Sequence, residues 1–134
     1  MVQATQGAAR YRVDITAAGH DLVADEPPAS GGQGVGAGPF DLVLAGLAAC
    51  TMITLRMYAE RKGWTGFNIK TRLRHRMADQ VHYIDREVEV SSVPDEAGLE
   101  RLRDIVERTP VTLALKPAFT ISTVLTQVAA GAHA

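Results

Sequence analysis

The sequence predicts an α+β domain built on antiparallel strand pairs, and three observations predict it. Residues 10–17 with 20–24, and 67–77 with 81–91, alternate apolar and polar side chains at the period of a strand. Each pair is joined by a connection short enough for a hairpin. Between the pairs, Gly38 to Lys62 reads as one long helix, and a second helical pattern over 95–108 precedes a last strand at 118–128. Strand pairs separated by helices are the pattern of an α+β fold.

In the first run, Tyr11, Val13 and Ile15 fall on one side and Arg12, Asp14 and Thr16 on the other, as in a half-buried strand. Ala18-Gly19 turns the chain and His20 to Ala24 returns. Residues 25–39, DEPPASGGQGVGAGP, are rich in Gly and Pro and form a loop. Within it, Gly32, Gly34 and Ala37 fit G-x-G-x-x-A. A dinucleotide fingerprint also needs a following βαβ unit with an acid at a strand end. A helix this long, followed by strands that read as antiparallel, does not supply one. The stretch 31–38 is therefore a loop feeding the helix.

The helix is clearly punctuated. Pro39 suits the first turn, where its missing N–H is not needed. Asp41 lies at the positive end of the helix dipole, Arg61 and Lys62 lie at the negative end, and Gly63 follows as a left-handed cap. At 1.5 Å per residue it is roughly 36 Å long. Leu42, Val43, Leu44, Leu47, Ala48, Met52, Ile53 and Leu55 make its first two-thirds apolar on nearly every side, so burial on most sides is expected. A small domain rarely wraps a helix so fully, and a second copy of the chain is the simplest cover. A membrane span is not expected. The uncharged run from Leu42 to Leu55 is shorter than the ~20 residues that a span needs, and Arg56, Glu60, Arg61 and Lys62 follow it.

The second strand pair puts Lys70, Arg72, Arg74 and Arg76 on one side of its first strand. Tyr83, Asp85, Glu87 and Glu89 lie on one side of the next, opposite Ile84, Arg86, Val88 and Val90. Acids and bases can pair across such strands. In the second helix Leu99, Leu102, Ile105 and Val106 make one stripe. Thr109-Pro110 interrupts it, and the tail from Ala129 is expected to fray.

With 134 residues the chain is expected to be a single domain, residues 1–134. A net charge of −1 and 5% aromatic residues give no basis for nucleic acid or a membrane surface as a partner. The first residues hold no signal-peptide core, and one cysteine makes no internal disulfide, so a cytoplasmic location is expected. His20, His75, His82 and His133 show no metal-ligand spacing, and no cofactor motif stands out, so neither a metal nor a cofactor is expected. His75 shares the apolar side of its strand and fits a core histidine.

Cys50 is the one candidate nucleophile. A reactive thiol needs a helix N-terminus or a nearby cation. Cys50 lies about three turns into its helix, and its neighbours Gly46, Leu47, Ile53 and Thr54 carry no charge. Any activating group has to come from elsewhere in the fold or from another subunit. Otherwise Cys50 is an inert, buried cysteine.

The segment DEPPASGGQGVGAGPFDLVLAGLAACTMITLRMYAERKGW resembles the OsmC/Ohr family of osmotically inducible and organic hydroperoxide resistance proteins. The Asp-Glu-Pro loop, the Gly-Pro helix start, Leu-Ala-Ala-Cys-Thr and Thr-Leu-Arg-Met-Tyr-Ala carry the likeness, which continues through LRHR at His75 and the late RTPVTLAL segment. The resemblance implies an intertwined homodimer with antiparallel sheets wrapped around long central helices, and a role in oxidative or osmotic stress. It also implies thiol-dependent reduction of organic hydroperoxides by two cysteines, an arginine and a glutamate. Cys50 matches the peroxide-attacking cysteine. The resolving cysteine is replaced by Thr109, in Thr109-Pro110-Val111, and the glutamate by Phe40, with Asp41 one residue on. No arginine lies between Asp25 and Phe40; Arg10, Arg12 and Arg108 are the remaining basic candidates. Two functions are compatible with this pattern. One is a one-cysteine hydroperoxide reductase regenerated by an external thiol. The other is a non-enzymatic homodimer that binds a small hydrophobic ligand in the family cleft.

Overall fold

The structure, a computed structural model, describes residues 1–131; His133, the fourth histidine, and its neighbours in the tail lie outside the described residues. Two compact units are formed, Met1–Val43 and the chain from Leu44 onward.

The first unit is an antiparallel meander of β1 (Val2–Gln6), β2 (Val13–Ala17) and β3 (His20–Ala24). Ala17 pairs with His20, and Ala18 and Gly19 both have positive φ, as a tight two-residue hairpin turn requires. β1 lies outside the two predicted pairs. All its residues are exposed, so it carries no apolar period to read. Residues 10–12 precede β2 in a turn, with the Gly7 N–H donating to the Arg12 carbonyl at 2.9 Å.

The Gly-rich loop is organised by Asp25, which is buried. Its carboxylate accepts backbone N–H groups from Glu26 at 2.8 Å, Gln33 at 3.1 Å and Val35 at 3.3 Å. Burial pushes this carboxyl up, but the N–H groups of Val35, Glu26, Gln33 and Gly34 outweigh it and hold it below the usual carboxylate range. The loop folds so tightly around this carboxylate that a Cβ on Gly32 would lie 1.9 Å from the Glu26 carbonyl oxygen.

The second unit places α1 (Pro39–Arg61, entering from the first unit), α2 (Glu96–Val106) and α3 (Pro110–Leu115) with a sheet of β4 (Asn68–Ala78), β5 (Val81–Ser91) and β6 (Phe119–Gln127), in the order β4-β5-β6. β4 and β5 form the expected hairpin, turning through Asp79 and Gln80, both at positive φ. Arg72 pairs with Glu87 and Arg76 with Asp85, each at 2.8 Å, as the alternation of charge predicts.

β6 corrects the expectation of an all-antiparallel sheet. It runs parallel to β5, from His82↔Phe119 to Val90↔Gln127, so the sheet is mixed. The reason lies in the connection. A parallel partner needs a crossover, and α2 and α3 provide it. α2 is built for this packing. Asp95 caps it by accepting the Gly98 N–H at 2.7 Å, and Leu99, Leu102 and Val106 are buried. They join Leu55, Val88, Val90 and Leu125 in the core.

α1 packs one face in the core. Within the chain only Leu47, Thr51, Leu55 and Ala59 are buried, one stripe with a spacing of four. Ile53 and Met57 on other faces are 55% and 58% exposed. A single sheet covers a single helix face. By length and composition alone α1 is apolar enough to cross a membrane.

Candidate functional site

Cys50 is half-buried on α1. Its Sγ lies 3.9 Å from the Thr54 hydroxyl one turn on. Thr51, the next residue, is turned about 100° around the helix and points into the core. It is fully buried, and its hydroxyl donates to the Leu47 carbonyl at 2.8 Å.

A buried cation of β5 meets α1 at Thr51. Arg86 shares the inward side of that strand with Ile84, Val88 and Val90 and is 1% exposed. Its Nη1 donates to Thr51 Oγ1 and to Thr112 Oγ1, each at 2.9 Å. Nε donates to Thr123 Oγ1 at 3.0 Å, and Nη2 to the Val106 carbonyl at 3.0 Å. Every acceptor is neutral, and among the described residues Arg86 has no ion pair. Burial lowers the guanidinium from its ordinary value, while negative charge at Glu107 and at Cys50 works in the opposite direction. An arginine nonetheless stays charged in a protein.

Thr109, at the position of the resolving cysteine, is fully buried. Its hydroxyl lies 2.6 Å from that of Thr112, which also accepts from Arg86. Threonine here extends the cage around the guanidinium. Asp41 accepts the Gly38 N–H at 3.0 Å, so its carboxylate is occupied in capping α1, and Phe40 is exposed.

The basic residues singled out from the sequence are engaged elsewhere. Arg12 pairs with Asp14 at 2.9 Å, Arg10 lies over the Tyr11 ring, and Arg108 pairs with Asp104. Arg86 is absent from that set. The signal was available, because strand alternation puts it on the apolar side of β5. His75 is half-buried with its Nε2 2.8 Å from His82 Nδ1, making a histidine pair at the hairpin end of the sheet rather than a core histidine. Among the described residues no three His, Cys, Asp or Glu side chains group as metal ligands would.

A profile of the family described as OsmC-like protein matches residues 31–124. Among solved structures, an OsmC-like protein of Mycoplasma pneumoniae superposes with a TM-score of 0.80 at 20% identity, over 96% of this chain and 96% of that one. An organic hydroperoxide resistance protein OsmC of Legionella pneumophila gives 0.66 at 18% identity, over 94% and 95%. The organic hydroperoxide resistance protein OhrB of Bacillus subtilis gives 0.63 at 22%, over 94% and 96%. At these identities the likeness is one of fold. No curated protein matches the chain in sequence.

Proposed function

Because the chain belongs to the OsmC-like protein family, we propose that it reduces organic hydroperoxides with Cys50 as its one working thiol, as a homodimer in a reducing compartment. One observation carries this best: Cys50 is a half-buried free thiol, and the residue after it, Thr51, accepts a hydrogen bond from the buried Arg86. The hydroperoxide resistance proteins of Legionella pneumophila and Bacillus subtilis share the fold and suggest the substrate class. In the proposed cycle the Cys50 thiolate attacks the terminal oxygen of the hydroperoxide, the O–O bond breaks, and the alkoxide leaves as the alcohol after taking a proton. Cys50 is then a sulfenic acid. Thr109 offers no sulfur for a disulfide within the chain. One external thiol therefore condenses with the sulfenic acid, releasing water, and a second exchanges with the mixed disulfide to restore Cys50.

A second function has its own support. A groove of about 420 Å³ beside α1 is lined by Met52, Ile53, Arg56, Met57, Glu60, Asn68 and Ile69, and its apolar lining suits a small hydrophobic ligand.

The test is turnover of cumene hydroperoxide with a dithiol reductant, native chain against Cys50→Ser, with the mass of the Cys50 peptide followed after dimedone trapping. The expected result is turnover in the native chain, background in the variant, and a trapped sulfenic acid at Cys50. No turnover, with Cys50 unmodified by excess peroxide, ends the reductase proposal and favours the ligand-binding homodimer.

A further inference from the structure

We propose that His75, His82 and Met77 form a binding site for a soft monovalent metal ion, copper(I), at the hairpin end of the second sheet. The site is separate from Cys50 and independent of the proposed reaction. Two imidazoles meet there nitrogen to nitrogen. His75 Nε2 lies 2.8 Å from His82 Nδ1, with the ring centroids 5.1 Å apart and the planes at 18°. In such a contact one nitrogen carries a proton and the other a lone pair. When that proton moves to the outer nitrogen of its own ring, both rings stay neutral and both inner nitrogens offer lone pairs. Two nitrogens bound to one ion at about 2.0–2.1 Å lie roughly 2.9–3.4 Å apart when the angle between them is right to tetrahedral. The pair is therefore spaced for chelation after a small turn of the rings, with the backbone left in place.

The register of the sheet brings the pair together and adds a third donor. The two histidines are seven residues apart along the chain. His75 stands across from Ile84 and His82 across from Met77, which makes the histidines diagonal neighbours. All three side chains belong to one face of the sheet. Met77 is 61% exposed, so an ion has a way in and the flexible thioether can turn onto the pair. Phe119 stands across from His82 on β6, with its ring centroid 6.0 Å from that of His75 and 5.6 Å from that of His82. Its ring walls one side of the site and limits how far the imidazoles can swing apart.

The donors select the ion. Imidazole serves zinc, copper, iron and nickel, whereas a thioether is soft and favours copper(I). Every donor is neutral, and among the described residues no third His, Cys, Asp or Glu joins the two histidines. A divalent ion would bring two charges to a set with no anion to offset them; copper(I) brings one. The ion pairs of the hairpin, Arg72 with Glu87 and Arg76 with Asp85, lie on the opposite face.

The experiment uses the full chain carrying Cys50→Ser, so that the thiol cannot take up the probe. Copper(I), kept reduced by ascorbate under argon, is offered in competition with bicinchoninate, whose coloured copper(I) complex reports what the protein removes. Uptake of one copper(I) per chain is expected. His75→Gln or His82→Gln in the same chain should weaken it by at least on the order of tenfold, and Met77→Leu by a smaller factor. Circular dichroism checks each fold. Nitrogen-15 spectra of the imidazoles need no variant in the sheet: on adding copper(I), the His75 and His82 signals should move together while those of His20 stay. No uptake, or uptake unchanged in any of the three folded variants, overturns the proposal. So does zinc(II) displacing copper(I) at equal concentration, because the thioether would then confer no selectivity. If the histidine variants do not fold, His75 and His82 signals that ignore copper(I) overturn it.

Discussion

Arg86 occupies a position where the alternation of β5 calls for an aliphatic side chain, and the threonines around it follow from that choice. Thr51, Thr112 and Thr123 each place one hydroxyl where the guanidinium fork reaches. A hydroxyl is the smallest group that accepts a hydrogen bond without adding charge. Thr109 stands one bond further out. Thr109→Val keeps the shape and removes the hydroxyl 2.6 Å from Thr112. Loss of a buried hydrogen bond of this kind should cost about 1 kcal/mol, which lowers the thermal midpoint by about 3–6 °C for a chain of this size. An unchanged midpoint would show that the hydroxyl pair contributes nothing to the cage. This residue-scale arrangement was only partly legible in the sequence. Cys50 and Thr109 could be placed through the motifs around them. The alternation also put Arg86 on the apolar side of β5, but the sequence does not show which groups of other elements will meet a buried guanidinium.

At the scale of elements, the Gly-rich loop is a shell around one carboxylate. Asp25 titrates below its ordinary value, and so do Asp85 beside Arg76 and Asp104 beside Arg108. A carboxyl depressed in the folded state stabilises the fold above its unfolded titration point, and that contribution is lost as pH falls through the folded one. The thermal midpoint should therefore drop as pH is lowered below about 4. Asp25→Asn should lower the midpoint at pH 7 and make the acid-side drop shallower; an identical acid slope would place the loop's stability elsewhere. The elements differ in how plainly they could be read. α2 was legible because Leu99, Leu102 and Val106 recur at helical spacing. β1 was not, since a fully exposed edge strand has no apolar side. The direction of β6 was hidden for a different reason: alternation marks a strand but not its orientation, and only the α2–α3 crossover makes the pairing parallel.

For the whole molecule, the question is what covers α1. One stripe of the helix packs in the core, and Ile53 and Met57 are left in the open beside the apolar groove. A contiguous exposed apolar patch is the kind of surface that a partner covers. If a second copy covers them, light scattering of the native chain should give twice 14.4 kDa. Ile53→Asp should then shift the mass toward the single chain, since an unpaired carboxylate would be buried at the interface. A native chain that runs as a monomer removes the homodimer from the proposal and leaves the groove as a surface for a different occupant.

The cage around Arg86 also bears on how the chain finds its register. Its acceptors come from four separate elements: Thr51 from α1, Val106 from α2, Thr112 from α3 and Thr123 from β6. Thr123 stands directly across from Arg86 in the parallel ladder. Sliding β6 by one residue would bring Ser122 or Val124 opposite instead and turn its inward side chains to the other face. With Val124 opposite, the guanidinium would enter the core short of an acceptor, at a cost of about 1–3 kcal/mol. In water the same group costs nothing, so the unfinished chain is not penalised, while the misaligned one is. A single buried charge thereby discriminates against the wrong docking of the last strand, an error that aliphatic packing alone would tolerate.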